Sequence, residues 1–214
     1  MNIGIIGSGK VGSTLGEMWA KAGYQVMFSF SPDPGRLRAL ADKIGSNAMS
    51  GTPAEAANFA DVILFAPNFW AAETAIAQAG SLAGKIVIDT TNPYRWNEEE
   101  GLTRMVGETV SGVATLQKLM PGARLVKTYS SFRPDALRQL AKQPMEKRLA
   151  VAIAANDTAA KAIVAQLVED SGGRPFDLGA LDNASLMEIP GTFSLSDDLT
   201  LNAALEKRLQ VLGY

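Results

Sequence analysis

The sequence predicts an α/β protein built on a doubly wound, mostly parallel sheet, with a small carboxyl-terminal lobe. Three observations carry this. Short aliphatic runs alternate with helical segments along most of the 214 residues. Most of those runs are continuously apolar, as suits strands covered by helices on both faces. The first run leads straight into a glycine-rich turn and then a helix. A chain of this length can bury roughly 70 % of its unfolded surface in one core.

The expected strands are Asn2–Ile6, Gln25–Phe30, Asp61–Ala66, Lys85–Asp89, Arg124–Thr128, Leu149–Ala154 and Arg174–Asp177, with a weaker one at Asn47–Met49. The helices between them carry their own punctuation. In "SPDPGRLRALADKIG", Asp33 is placed to cap, Pro34 suits the first helical position and Gly45 the stop. In "GTPAEAANFA", Thr52 and Glu55 have the spacing of a capping box. "WNEEEGLTRMVGETV" reads as a helix capped by Asn97, with Glu98, Glu99 and Glu100 at the positive end of its dipole. "NDTAAKAIVAQLVEDSGG" runs from an Asn/Asp cap to a Gly-Gly stop. No internal repeat or low-complexity linker interrupts the alternation.

Composition narrows the chemistry. The chain has no Cys and no His, which removes thiolate nucleophiles, disulfides and the commonest metal ligand and general base. No metal site is expected. Net charge is −2, and without a basic stripe a nucleic acid has little to hold. No apolar run approaches the ~20 residues that span a bilayer, and a first strand beginning at Asn2 leaves no room for a leader. A cytoplasmic protein without membrane partners is the expectation. Hydride transfer fits such a chain, because a bound cofactor supplies the reactive atom and the protein positions it.

The stretch "IGIIGSGKVGSTLG" supplies the site for that cofactor. It sets Gly7-Ser8-Gly9-Lys10-Val11-Gly12 between a strand and a helix. Gly7 permits the tight turn, Gly9 lets a pyrophosphate approach the backbone, and Gly12 lets helix and strand pack closely. The helix start then points unsatisfied N–H groups at the phosphates. This is the dinucleotide-binding arrangement of the Rossmann fold. A packing-limited glycine turn is the bland alternative, and the strand–turn–helix context outweighs it.

An NAD site normally places an acid about 20 residues beyond the loop. Here the second strand ends Met27-Phe28-Ser29-Phe30-Ser31-Pro32, and the nearest acid, Asp33, is better used as a cap. Hydroxyls from Ser29 and Ser31, with Arg36 one turn into the helix, favour a 2′-phosphate and therefore NADP(H). The following strand ends carry Ala66-Pro67-Asn68 and Asn92-Pro93, small enough to line the ribose and nicotinamide. Phe69, Trp70, Tyr94, Trp96 and Tyr129 offer flat apolar surface to a ring, although each alone suits ordinary packing equally well. Lys127, Tyr129 and Tyr94 are the candidate proton donors if the acceptor needs one; no catalytic residue is assigned.

The segments "MNIGIIGSGKVGSTLG", "ADVILFAPNFWA", "GKIVIDTTNP", "LQKLMPGARLVKTYSSF" and "SGGRPFDLGALDNASLME" follow one family's order and spacing over nearly the whole chain. The sequence resembles the NADPH-dependent reductases of the deazaflavin coenzyme F-420, whose amino-terminal domain is shared with pyrroline-5-carboxylate reductases. The resemblance implies a dinucleotide-binding Rossmann domain at residues 1–148 and a small lobe at 149–214, assembled as a homodimer. It implies pyrophosphate contacts at Gly7, Gly9, Lys10, Val11 and Gly12, and nicotinamide contacts at Pro67, Asn92 and Pro93. The expected activity is an oxidoreductase passing a hydride between NADP(H) and a small-molecule acceptor of flavin or deazaflavin type. Alternatives are reduction of a small carbonyl or imine, or a non-catalytic NADP(H) sensor. Two positions depart from the family: Pro32 stands where members carry Arg, and Tyr129-Ser130-Ser131-Phe132 replaces a polar-apolar-Pro loop.

Overall fold

A computed structural model describes residues 1–108, 110–140, 142–194 and 198–213. Its centre is an eight-stranded sheet. The strands are β1 (Asn2–Ile6), β2 (Gln25–Ser29), β3 (Ala48–Ser50), β4 (Val62–Phe65), β5 (Ile86–Asp89), β8 (Arg124–Thr128), β9 (Ala150–Ala154) and β10 (Arg174–Gly179). Their spatial order is β10-β9-β8-β5-β4-β1-β2-β3. All neighbouring pairs are parallel except β8 and β9. Chain order reverses at β1, where the sheet continues to β2 on one side and β4 on the other, and the crevice at that switch point is where such folds take ligands. The expected Rossmann-type α/β fold is therefore the observed one, and residues 149–214 contribute β9 and β10 to the same sheet.

The helices α1 (Lys10–Lys21), α2 (Pro34–Ile44), α3 (Pro53–Phe59), α4 (Ala72–Ala79), α5 (Gly112–Leu119), α6 (Pro134–Leu140), α7 (Thr158–Asp170) and α8 (Leu201–Leu212) flank it. Their starts follow the sequence chemistry. Asp33 accepts from the N–H groups of Gly35 and Arg36, Thr52 and Glu55 form the reciprocal capping box, and Asp157 accepts from Ala160 N. Ser111 and Thr200 cap α5 and α8.

Two large core clusters lie on the two faces of the sheet. One gathers Ile3, Ile5, Val26, Phe28, Leu64 and Val126 with Trp19 of α1 and Val164 and Leu167 of α7. The other joins Ile6, Ile63, Phe65, Val87 and Leu125 to Ala75 of α4 and Leu116 of α5. A third cluster packs Ala152, Phe176 and Leu178 against Met187, Phe193 and Ala204.

The segment after β5 differs from expectation. Instead of a helix capped by Asn97, it forms an antiparallel hairpin of β6 (Tyr94–Asn97) and β7 (Gly101–Arg104). Asn97 does cap, but it caps a turn. Its Oδ1 accepts from Glu100 N at 2.5 Å and its Nδ2 donates to Glu100 Oε2 at 2.9 Å. Gly101 supplies φ +68°, which closes the turn. Aromatic Tyr94 and Trp96 then pair with Arg104 and Leu102, a combination that favours a pleated ribbon.

Candidate functional site

The carboxyl ends of β1, β2, β4, β5 and β8 define the crevice. At its centre lies the glycine loop. Gly7 has φ +104°, and a Cβ there would stand 2.3 Å from Pro67 N. A Cβ on Gly12 would stand 2.0 Å from Gly7 O. Both positions are closed by backbone, which cannot yield. Gly9 is the opposite case: a Cβ there would meet nothing within 4 Å. The chain thus keeps open backbone at the one loop position where packing does not demand it.

Helix α1 begins at this opening with no acid in its first turn and, unlike α2, α3, α5, α7 and α8, no side-chain cap. Lys10 is exposed beside it, and Val11 packs inward. An uncapped helix start at an open glycine backbone fits a pyrophosphate group. Ser8 turns away: its hydroxyl donates to Ser29 O at 2.9 Å and is buried.

The end of β2 opens onto a cavity of about 670 Å³ lined by Phe30, Ser31, Pro34, Leu37, Arg38 and Trp70, among others. Its size suits a nucleoside-sized ligand. Two expected residues are not in it. Ser29 is fully buried and its hydroxyl donates to Ile5 O at 2.7 Å, so it braces β2 on β1 rather than facing a phosphate. Arg36 is exposed on the outer face of α2. Positions 34, 37 and 38 share one helical face, and 36 lies about 200° from 38 at 100° per residue. Arg38 is therefore the cation of this cavity, and helical spacing from Pro34 was the signal for it. Glu55 also lines the cavity, with its carboxylate held by Thr52 N and Oγ1 at 2.7 and 2.9 Å. Those bonds keep its pKa below the usual carboxylate range.

Across the switch point, Ala66 is half-buried, Pro67 is buried against Gly7, and Asn68 is exposed. Asn92 is committed at both ends: Nδ2 donates to Ser130 O at 2.9 Å and Oδ1 accepts from Ile189 N at 3.2 Å. Pro93 is buried beside it. Behind this loop lies a charge cluster. Lys127 Nζ contacts Asp89 Oδ2 at 2.9 Å and Glu188 Oε1 at 3.6 Å, and donates to Thr91 O. All three charged side chains are at most 1 % exposed.

Two candidate proton donors are thereby corrected. Lys127 is sealed within this cluster. Tyr129 adopts φ +59°, which breaks β8 and swings its ring to the opposite face of the sheet. There it meets Trp19 edge-on at 6.3 Å and bonds Ser171 Oγ at 2.7 Å. Burial pushes its phenol well above the ordinary tyrosine range. Tyr129 offers no surface to a ligand ring. Tyr94 remains half-buried, with Arg104 donating to its hydroxyl at 3.1 Å. Trp70 stands exposed at the rim of the cavity, and Trp96 is exposed on the hairpin. Among the described residues no cluster of three metal-ligating side chains occurs, and no helix is long and apolar enough to cross a membrane.

Residues 2–93 match the family described as "NADP oxidoreductase coenzyme F420-dependent". This part of the chain is therefore similar to NADP-dependent oxidoreductases. The matched span covers the glycine loop, the cavity and the Asn92-Pro93 turn. Two solved structures share the architecture. A hypothetical protein from Sinorhizobium meliloti is 23 % identical with a TM-score of 0.79, over 91 % of this chain and 93 % of that one. A proposed F420-dependent NADP reductase from Arthrobacter is 24 % identical with a TM-score of 0.74, over 99 % and 94 %. Metalloreductase STEAP3 of Rattus norvegicus is 27 % identical over 186 residues, 87 % of this chain. The chain spans only 35 % of that relative's length.

Proposed function

We propose that this oxidoreductase passes a hydride between NADP(H) and a flat ring acceptor of flavin or deazaflavin type. One observation carries the choice of acceptor. The titratable groups behind the nicotinamide end, Asp89, Lys127 and Glu188, are fully buried and turned on one another. A ring acceptor brings its own nitrogens for the accompanying proton, so it asks of the protein only alignment and exclusion of water. The dinucleotide supplies the hydride. The chain's residues do the rest: the α1 start and Gly9 receive the pyrophosphate, Ser31 and Arg38 receive the phosphorylated ribose, and Pro67 and Pro93 shape the nicotinamide end without charge.

The test is oxidation of NADPH by coenzyme F-420, followed optically with purified protein, then by free flavins. Turnover is the expected result; no oxidation with any deazaflavin or flavin would overturn the reading. A second reading, reduction of a small carbonyl or imine, draws on Tyr94. Its hydroxyl accepts from the Arg104 guanidinium, which leaves the phenolic proton to be offered to an acceptor. Imine reduction lost in Tyr94→Phe, with deazaflavin turnover absent in the wild type, would favour this second reading.

A further inference from the structure

The charge cluster behind the nicotinamide loop is built across four separate parts of the chain, and Glu188 is the member that joins them. Its Oε2 accepts from Gly112 N at 3.0 Å and its Oε1 from Val113 N at 3.3 Å, at the start of α5. The same Oε1 lies 3.6 Å from Lys127 Nζ at the end of β8. Lys127 in turn donates to Thr91 O, and Asp89 Oδ1 accepts from Thr91 N at 2.8 Å. The next residue in the chain, Ile189, donates its N–H to Asn92 Oδ1. Packing at Gly112 is tight: an added Cβ would lie 3.1 Å from Phe69 and Pro93 and 3.2 Å from Glu188.

We propose that Glu188 is a positioning residue for the nicotinamide end of the site. Building on the NADP(H) reading above, it fixes the Thr91–Pro93 turn by two routes, through Lys127 onto the Thr91 carbonyl and through the adjoining Ile189 N–H onto the Asn92 amide. A carboxylate suits the position because it must accept from two backbone donors and face an ammonium at once. Burying such a group only as a structural tie is poorly repaid, since a packed apolar residue often serves as well. The cluster also ties the carboxyl-terminal segment to the hydride-transfer end, so that the loop keeps its geometry only when that segment is docked.

The test is Glu188→Gln, which leaves Lys127 and Asp89 as a neutral pair and keeps the shape. Asn92→Ala, which removes the receiving amide without touching a buried charge, is made alongside. Two ligands are titrated: 2′,5′-ADP, which reports the adenosine end, and NADPH, whose fluorescence reports the nicotinamide. Both variants should bind 2′,5′-ADP within about twofold of wild type, with the phosphate-end contacts intact. NADPH should lose its fluorescence change on binding, and kcat for NADPH oxidation should fall about tenfold or more, as expected of misplaced reactants. A purely structural tie would lower the thermal midpoint while leaving NADPH fluorescence and kcat at wild-type values below it, and that result overturns the proposal. Wild-type protein that binds 2′,5′-ADP but never alters NADPH fluorescence would instead overturn the nicotinamide reading, and Glu188's role with it.

Discussion

Substituting Gly9 separates ligand recognition from folding more cleanly than any other change in the loop. Gly9 has φ −71° and ψ −159°, an extended conformation that alanine adopts without strain. Its Cβ would meet nothing within 4 Å. Gly9→Ala should gain about 0.4–1 kcal/mol by restricting the unfolded chain. It should lose a similar amount because alanine is a poorer helix N-cap than glycine. Stability should therefore stay within about 0.5 kcal/mol of wild type. The added methyl, however, occupies the space left open at the start of α1. Overpacking of a well-fitted contact costs about 1–3 kcal/mol, which is about a 5- to 150-fold loss of NADPH affinity. Calorimetric titration measures the affinity, and urea unfolding of the ligand-free protein measures the stability. Gly12→Ala is the control. Its Cβ would lie 2.0 Å from a backbone oxygen, so it should damage folding and binding together. NADPH bound by Gly9→Ala with wild-type affinity would refute the assignment of this opening to the pyrophosphate.

Three further outcomes follow from the geometry. Arg38→Ala should weaken NADPH about 10- to 150-fold, the worth of a charge-assisted phosphate contact, and leave NADH unchanged, whereas Arg36→Ala should alter neither beyond twofold. The reverse pattern in direct titrations would return the phosphate to the outer face of α2. Asp157, paired with Arg124 at 2.6 Å, has its pKa lowered from 3.8 to about 2 by that hydrogen bond first and by Ala160 N second. Its contribution is present above the unfolded value and disappears as pH falls from about 4 to about 2. The stability gap between wild type and Asp157→Asn, measured by urea unfolding, should therefore close across that window; a gap constant down to pH 2 would contradict the assignment. Trp19→Phe removes the indole donor to Leu167 O (2.9 Å, buried) and should cost about 1–3 kcal/mol, and a change below 0.5 kcal/mol would show that the bond adds nothing.

The strands of the sheet were legible because strands covered on both faces read as uninterrupted aliphatic runs, and the capped helices because their caps are local. The hairpin was not. An Asn followed by acids satisfies a helix start and an Asx turn alike, and only the aromatic residues on the strand before the turn tip the balance. In the site, residue type identified the glycine loop, but side-chain direction decided its neighbours. Ser29 and Arg36 lie at the right distance along the chain and point the wrong way. Tyr129 was misjudged for a different reason: a positive φ at a non-glycine residue has no local sequence signal, yet it moves the ring across the sheet. Glu188's role was not legible, its partners lying 61, 75 and 76 residues away. Its traces were a single acid inside the apolar stretch "SLMEIP" and its place at the end of the segment "SGGRPFDLGALDNASLME".

The bond from Trp19 to Leu167 spans 148 residues, and Tyr24 reaches Asp170 across 146. The carboxyl-terminal end of α1 and the turn after it are thus completed by a helix made long after them. During synthesis the first strand–turn–helix unit emerges with a large indole that has nowhere to go until α7 arrives. Contacts this distant in sequence slow the search for the native state. The dinucleotide loop sits at the head of this waiting helix. Its pocket acquires a fixed floor late in folding, and the capacity to hold a nucleotide should appear on the growing chain only once α7 has emerged.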